Sequence, residues 1–434
     1  MTKFRDKRLK LRKKMNNKLQ VTLLVIGDEI LYGRTTDLNG AWLSKFLFNN
    51  GLYFKNMMFV RDNESDIKEA LKNALNQSDI VITSGGIGPT LDDKTKKILA
   101  EYFDKKIIER EDVALIVDEN YRRFGREWKR NLNFYHYFPE DFIAINNPKG
   151  LAPGLGFYVN QKLILSGPGV PREFQAMNEL EFLPIIKKFF QGKFQENQQV
   201  VIRTRTIPEE KIFNEMCPNL WNDLSKFGSV SSLPHTIGID IVVSFNGNDK
   251  DQQNALIEIK KIISQTSLNE YVWQYGNTPL PVSILNEAKE KKLTFAFAES
   301  CTGGLCSSKI TDLSGSSEVF YGSIISYDNS VKINTLNVAN QTLDNFGAVS
   351  LECAKEMAIG VRNRINTDIG ISITGIAGPT GGSLDKPIGT VVVGIAYKDF
   401  VESYRFQFPG DRQRLKERFS DMALYQLLEA IRNY

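Results

Sequence analysis

The first 190 residues alternate continuous apolar runs with stretches of helical period. VTLLVIG (21–27), YFKNMMFV (53–60) and DIVITSGG (79–86) are short and apolar enough to be strands. Between them, LNGAWLSKFLFNNG (38–51) spaces its apolar residues as a helix does and stops at a glycine. ESDIKEALKNALNQ (64–77) opens on acids, which suit the positive end of a helix dipole. Successive βα units of this length predict a parallel, doubly wound sheet. The Gly- and Pro-rich stretch 146–177 adds two short strands, then a helix running towards Phe190.

The polar GKFQENQQ (192–199) marks a boundary. Beyond it, VVIRTRTI, a helical piece at 209–217, IGIDIVVSF (237–245) and DQQNALIEIKKIISQ (251–265) predict a small α+β module with no chemical cluster. From residue 281 the βα alternation returns, with PVSILNEAKEKK as helix, LTFAFA as strand, and GSIISYDNSVKINTL (322–336) as strand and helix. A helix over 350–364, the strands DIGISIT (368–374) and GTVVVGIAY (389–397), and a closing helix over 411–432 complete it. The pattern therefore predicts an α/β protein. Two α/β domains with mainly parallel sheets, at 20–190 and 271–434, are joined by the α+β module at 191–270.

Composition changes this picture little. Hydrophobic residues at 42% and charged residues at 24% are those of a soluble globular chain. No apolar run approaches the roughly 18–20 residues that span a bilayer, and the first residues lack the apolar core of a secretory signal. Four cysteines without paired metal-ligand spacing point to a reduced, cytoplasmic protein. Charge matters more. The formal net charge of +4 hides an uneven split, because residues 1–20 carry nine Lys/Arg against one Asp, leaving 46 basic and 50 acidic residues elsewhere. The body is mildly acidic. The basic stretch 1–19 reads as a disordered tail, the one place where nucleic-acid contact is expected.

Three polar clusters in the last segment follow strand ends, where open α/β sheets hold ligands. They are ESCTGG (299–304), SYDNSVK (326–332) and TGIAGPTGG (374–382). The first offers three candidate nucleophiles, Ser300, Cys301 and Thr302, ahead of two glycines. No histidine follows His235, so the base is Lys332 or Tyr327, or comes from another domain. Ser–Lys pairs are a known arrangement. A capping Asp328, Asn329 or Ser330 sets Lys332 in the first turn of a helix, at the positive end of its dipole, and burial presses further against the ammonium. The glycines after Ser300 are expected to leave backbone amides free for an oxyanion or phosphate. Each feature has a plainer reading. Ser300 or Thr302 is then a helix cap, Cys301 and Cys306 are packing residues, and Lys332 is a solvated lysine.

AESCTGG, GSS (315–317), SYDNSVK, FGAVS (346–350), TGIAGPTGG and KPIGTV (386–391), in this order and spacing, resemble the C-terminal domain of the CinA (competence/damage-inducible) family. The resemblance implies hydrolysis of nicotinamide mononucleotide (NMN) to nicotinate mononucleotide and ammonia, with no cofactor. It places the family's serine, tyrosine and lysine on Ser300, Tyr327 and Lys332, read as nucleophile, proton relay and general base. Substrate phosphate and oxyanion are expected at the backbone of Thr302, Gly303, Gly304, Thr374, Gly375 and Gly378. A homodimer without membrane contact is also expected.

In the first segment, GDEILYGRTTDLN (27–39) and SGGIGPTLDDKT (84–95) follow the first and third strands. Carboxylates beside Gly-rich loops suit a divalent metal that bridges phosphate oxygens, while Asp92 or Asp93 is also a natural helix cap. With NPKGLAPG, these stretches make 20–190 resemble the molybdopterin-binding (MoCF) fold in its CinA form. That resemblance implies a metal-dependent ADP-ribose pyrophosphatase. Nucleotide is expected at Gly27, Asn39, Gly85, Gly86, Gly88 and Thr90, and metal at Asp28, Glu29, Asp92 and Asp93. Lys97 stands where the family carries a glutamate, and NFYHYFP (133–139) replaces a Gln-Ala-containing run. Residues 191–270 take the place of the family's KH-like domain, but TIPEEKI (206–212) replaces its Gly-rich stretch, which removes the expectation of RNA binding there. The alternative reading is a nucleotide- or pterin-binding protein, or a competence or DNA-damage scaffold, without catalysis.

Overall fold

The computed structural model describes residues 19–88, 93–131, 133–194 and 197–434, so the expected tail lies outside it except for Leu19. The chain forms two compact units. One is the chain up to Gln198 with Ser244–Asn254, the other Gln199–Val243 with Ala255–Tyr434. No helix among the described residues is long and apolar enough to cross a membrane.

The first unit is built on a six-stranded sheet of β1 (Gln20–Ile26), β2 (Tyr53–Val60), β3 (Ile80–Ser84), β4 (Ile143–Ile145), β5 (Gly154–Val159) and β6 (Lys162–Gly167), ordered β2-β1-β3-β6-β5-β4. Its first four strands are parallel, and β5 and β4 add antiparallel. Helices α1 (Asn39–Asn49), α2 (Glu64–Gln77), α3 (Thr95–Tyr102), α4 (Glu111–Arg123) and α5 (Pro171–Met177) cover it. Alternate residues of β1 feed two cores: Leu24 and Ile26 pack with Ile67 and Leu71 of α2, while Leu23 and Val25 pack with Leu43 and Leu47 of α1. Burial on both faces is why β1 and β3 read as unbroken apolar runs rather than as alternation.

Strands β7 (Asn197–Thr204), β8 (Ser229–Pro234), β9 (Ile239–Asn246) and β10 (Val272–Tyr275), most of whose residues belong to the second unit, form a sheet ordered β8-β9-β7-β10, and α6 (Asp249–Ser264) follows β9. Ile237 and Trp273 of this module share one buried cluster with Phe295, Phe297 and Tyr425 of the last segment. That segment carries a five-stranded sheet of β11 (Phe295–Glu299), β12 (Phe320–Ile325), β13 (Ile369–Gly375), β14 (Thr390–Tyr397) and β15 (Phe400–Gln407), ordered β12-β11-β13-β14-β15. The first three run parallel and the last two antiparallel. Strand β15 adds to the elements the pattern predicts. It returns from β14 as a hairpin and is half exposed. The helices are α7 (Leu280–Lys291), α8 (Leu305–Thr311), α9 (Asn329–Leu336), α10 (Leu351–Ile365) and α11 (Arg412–Asn433).

Candidate active site

Strand β11 lies between β12 and β13, so the three polar clusters leave the same edge of the sheet at adjacent strand ends. The backbone ties them together. Ser300 N donates to Ile373 O at 2.9 Å, and Ser326 N donates to Glu299 O at 2.8 Å. The pleat then sorts side chains to opposite faces. Phe295 and Phe297 pack with Cys306 and Ile310 of α8, while Ala296 and Ala298 pack with Leu336 of α9 and Met357 of α10. Continuing that alternation, Glu299 turns towards α8 and Ser300 towards α9.

Ser300 meets Lys332 there. Lys332 Nζ lies 3.3 Å from Ser300 Oγ, 2.7 Å from the Ser326 carbonyl and 3.2 Å from the Tyr327 carbonyl. The lysine is 1% exposed and the serine 8%. Of the three possible caps, Asp328 closes α9, accepting from Ser330 N, which places Lys332 in the first helical turn. Burial lowers the Lys332 pKa below the ordinary lysine value, only partly opposed by Cys353, Asp328 and Cys301. A neutral amine has two N–H donors and one lone pair. With the amine uncharged, the two carbonyls would take its N–H donors and leave the lone pair for the serine hydroxyl. The 3.3 Å separation is long for a hydrogen bond, as is common before substrate closes a site.

Cys301 is buried, and burial pushes its thiol up to about 12. Cys306 is raised well above its usual value and Cys353 to about 11 by the same cause. A thiol held protonated is a poor nucleophile. Of Ser300 and Cys301, it is the serine that lies within hydrogen-bond distance of Lys332.

The turn after Ser300 differs from expectation. Glu299, 0% exposed, accepts five hydrogen bonds. Its Oε2 takes Thr302 Oγ1 at 2.7 Å, Gly304 N at 2.9 Å and Cys306 N at 3.1 Å. Its Oε1 takes Ser307 N at 3.0 Å and Ser307 Oγ at 2.6 Å. Gly303 N is donated to Ser300 O. The amides of Gly303 and Gly304 and the Thr302 hydroxyl are thus already committed, and Glu299 rather than Ser300 or Thr302 caps α8. Gly303 (φ 62°) and Gly304 (φ 98°) both sit in the left-handed region, which explains two successive glycines.

Tyr327 is also displaced from its expected role. The residue is 63% exposed, and its hydroxyl lies 3.4 Å from Arg412 Nη2 and makes no hydrogen bond to Ser300 or Lys332 among the described residues. What it offers Lys332 is its carbonyl. Thr374 is buried and donates its hydroxyl to Ala348 O, and a Cβ on Gly375 would stand 2.8 Å from Thr390 O and 3.2 Å from Cys301 Sγ. Both are packing positions. Gly378 faces the site's rim, where its carbonyl accepts from Arg412 Nη1 at 2.7 Å.

Glu299 and Arg412 are the residues that motif reading missed, though each left a signal. An acid ending a wholly apolar strand must find donors, and the nearest are in the turn that follows. Arg412 opens α11, the end where a helix dipole disfavours a cation, so a different reason for its placement is implied.

In the first unit, Gly27 and Gly85–Gly86 leave the neighbouring strands β1 and β3. Gly85 has φ 110°, and a Cβ there would stand 2.3 Å from Ile26 O, so only glycine allows the two loops to approach. Asn39 is buried, donating through Nδ2 to Ser84 Oγ and Gly169 O, while its Oδ1 has no partner among the described residues. Asp28 Oδ1 is likewise buried without one. The Glu29 carboxylate stands against Gly27, and that of Asp93 against Gly88. Lys97 points to Glu101 at 3.7 Å. Thr90 and Asp92 lie outside the described residues. Among the described residues no three His, Cys, Asp or Glu side chains converge as metal ligands do.

Residues 277–431 match the model of the CinA C-terminal domain, and residues 22–188 match that of a molybdopterin-binding domain. A competence-damage inducible homologue from Halothermothrix orenii is 36% identical over 417 residues, covering 93% of this chain and 97% of its own. A CinA-like protein from Dictyoglomus turgidum is 34% identical over 401 residues, covering 92% of this chain and 96% of its own. Among solved structures, a competence/damage inducible protein from Agrobacterium tumefaciens is 32% identical, covers 36% of this chain and 99% of its own, and has a TM-score of 0.34.

Proposed function

The chain belongs to the CinA family, and from the geometry of its last segment we propose that it is an amidohydrolase that converts NMN to nicotinate mononucleotide and ammonia. The observation that carries this reading is the buried Lys332 amine, 3.3 Å from Ser300 Oγ, with carbonyls in its two other directions. In the proposed reaction the neutral amine takes the Ser300 proton as Oγ bonds to the carboxamide carbon. Lys332 then returns that proton to the leaving nitrogen as the C–N bond breaks, releasing ammonia and leaving an ester on Ser300. Water, deprotonated by the same amine, hydrolyses the ester and restores the serine. This reading assigns the oxyanion to the amides of Cys301 and Thr302, which follow the nucleophile and are not spent on Glu299. Arg412, at the rim with Tyr327, supplies a cation suited to the substrate phosphate.

The test is ammonia release from NMN by the full-length chain beside Ser300→Ala and Cys301→Ala. Loss in the first and retention in the second is the expected result. A dead Cys301→Ala with an active Ser300→Ala overturns the assignment. For the first unit, the family match to a molybdopterin-binding domain and the paired glycine loops support binding of a nucleotide or pterin.

A further inference from the structure

Resting on the reading of Ser300 as nucleophile, we infer that Glu299 is a positioning residue that sets the nucleophile turn by accepting, on its own buried carboxylate, the donors of residues 302–307. Three observations carry this. First, Glu299 and Lys332 are the two Asp, Glu, Lys or Arg side chains that are fully buried among the described residues, and they lie on opposite sides of the sheet at Ser300. Second, every donor to Glu299 comes from residues 302–307, the turn that immediately follows the nucleophile. Third, the helix has no cap of its own. Its N-cap position is Gly304, which lacks a side chain, and the amides of Cys306 and Ser307, otherwise left without partners at a helix start, are satisfied by Glu299.

The consequence is geometric. Ser300 is fixed from behind by its amide on Ile373 O, and ahead by a turn of two left-handed glycines that Glu299 latches closed. A turn free to relax shifts Oγ away from Lys332 and turns the Cys301 and Thr302 amides off the oxyanion. It also determines where substrate charge can go. A phosphate cannot share these donors with a buried carboxylate, so it is directed to the rim at Arg412.

Glu299→Gln keeps the shape but not the acceptors. Wherever its NH2 lies, it faces at least one backbone N–H: that of Ser307 on one side, those of Gly304 and Cys306 on the other. The experiment uses a fluorophosphonate probe on the full-length chain. Its phosphorus bonds to a serine Oγ, fluoride leaves and the serine proton goes to the base, so it reports nucleophile geometry without NMN. Rate constant and final stoichiometry are measured separately, with Ser300 as the labelled residue. The expected result is full labelling of Glu299→Gln at a rate about 10- to 100-fold below wild type. The double variant Thr302→Val/Ser307→Ala, which removes two hydroxyl donors and leaves all backbone amides, is expected to be slowed about 3- to 10-fold. Full labelling of Glu299→Gln at the wild-type rate overturns the inference. So does a wild-type rate in a reduced labelled fraction, which is the signature of a purely structural role. If Glu299→Gln does not fold, the double variant decides by the same criterion. A wild-type chain whose Ser300 is never labelled removes the nucleophile reading, and this inference with it.

Discussion

Replacing Lys332 by methionine separates the base from the scaffold. Methionine fills nearly the same volume but has neither the amine nor its charge. On the stability side two terms oppose. The Ser326 and Tyr327 carbonyls lose their donor, at about 1–3 kcal/mol for each acceptor left unsatisfied. Against this, in whatever fraction of the folded chain the amine is protonated, a buried cation with no hydrogen-bonded carboxylate is removed, a relief of several kcal/mol in typical cases. The net change is expected to stay within about 2 kcal/mol near neutral pH. The sign with pH follows from linkage. Burial holds the Lys332 pKa below its unfolded value, so the unfolded chain binds that proton more tightly. The penalty is fully present below the folded pKa, fades as pH rises towards the ordinary lysine value, and is absent above it. Wild type should therefore gain stability relative to Lys332→Met between neutral and alkaline pH. Activity behaves differently, because loss of a general base costs about 100- to 10,000-fold in kcat. Wild-type kcat should rise with pH through a limb that lies below the ordinary lysine range and is missing from the residual rate of the variant. Urea unfolding at neutral and alkaline pH, beside an ammonia-release pH profile, checks both. A Lys332→Met protein that folds and retains wild-type kcat refutes the base assignment.

Other consequences are smaller but as definite. Cys301→Ala should keep NMN turnover within about threefold, and N-ethylmaleimide should leave native wild type active at neutral pH, since burial holds that thiol protonated. Arg412→Ala should raise the KM for NMN about 10- to 100-fold while hardly changing turnover of the phosphate-free nicotinamide riboside, and equal losses on both substrates would place the phosphate elsewhere. In the first unit, any ADP-ribose hydrolysis should stop in chelator and in Asp92→Ala or Asp93→Ala, and hydrolysis that survives chelator removes metal from that site.

Much of the fold was legible because its central strands, β1, β3, β11, β13 and β14, are buried on both faces. YFKNMMFV and ESDIKEALKNALNQ coincide with β2 and α2 residue for residue. The three clusters of the last segment were legible for a topological reason, since each follows a parallel strand and must emerge at the same sheet edge. Strand β15 was hidden because FVESYRFQ is an edge strand with mixed exposure, whose pattern resembles a polar loop. The site was half legible. Ser300 and Lys332 could be paired from motif and helix position, but the fate of the glycine amides could not, because it depends on which face of β11 Glu299 meets. One residue of register decides whether that acid faces α9, where Lys332 lies, or the turn that leads into α8. Tyr327 illustrates the converse, where a motif position contributes its carbonyl while the ring points to the rim.

The central claim is that the Ser300 alcohol, primed by a buried uncharged amine, forms a covalent ester with the substrate acyl group. Acid quenching of wild type during NMN turnover, followed by fragment mass spectrometry of the peptide that spans residues 295–309, tests it directly. The account predicts a nicotinate-mononucleotide adduct on Ser300 that is absent in Ser300→Ala and in Lys332→Met. An adduct on Cys301 or Thr302, or a burst of ammonia release with no ester trapped on Ser300 under any quench, contradicts it.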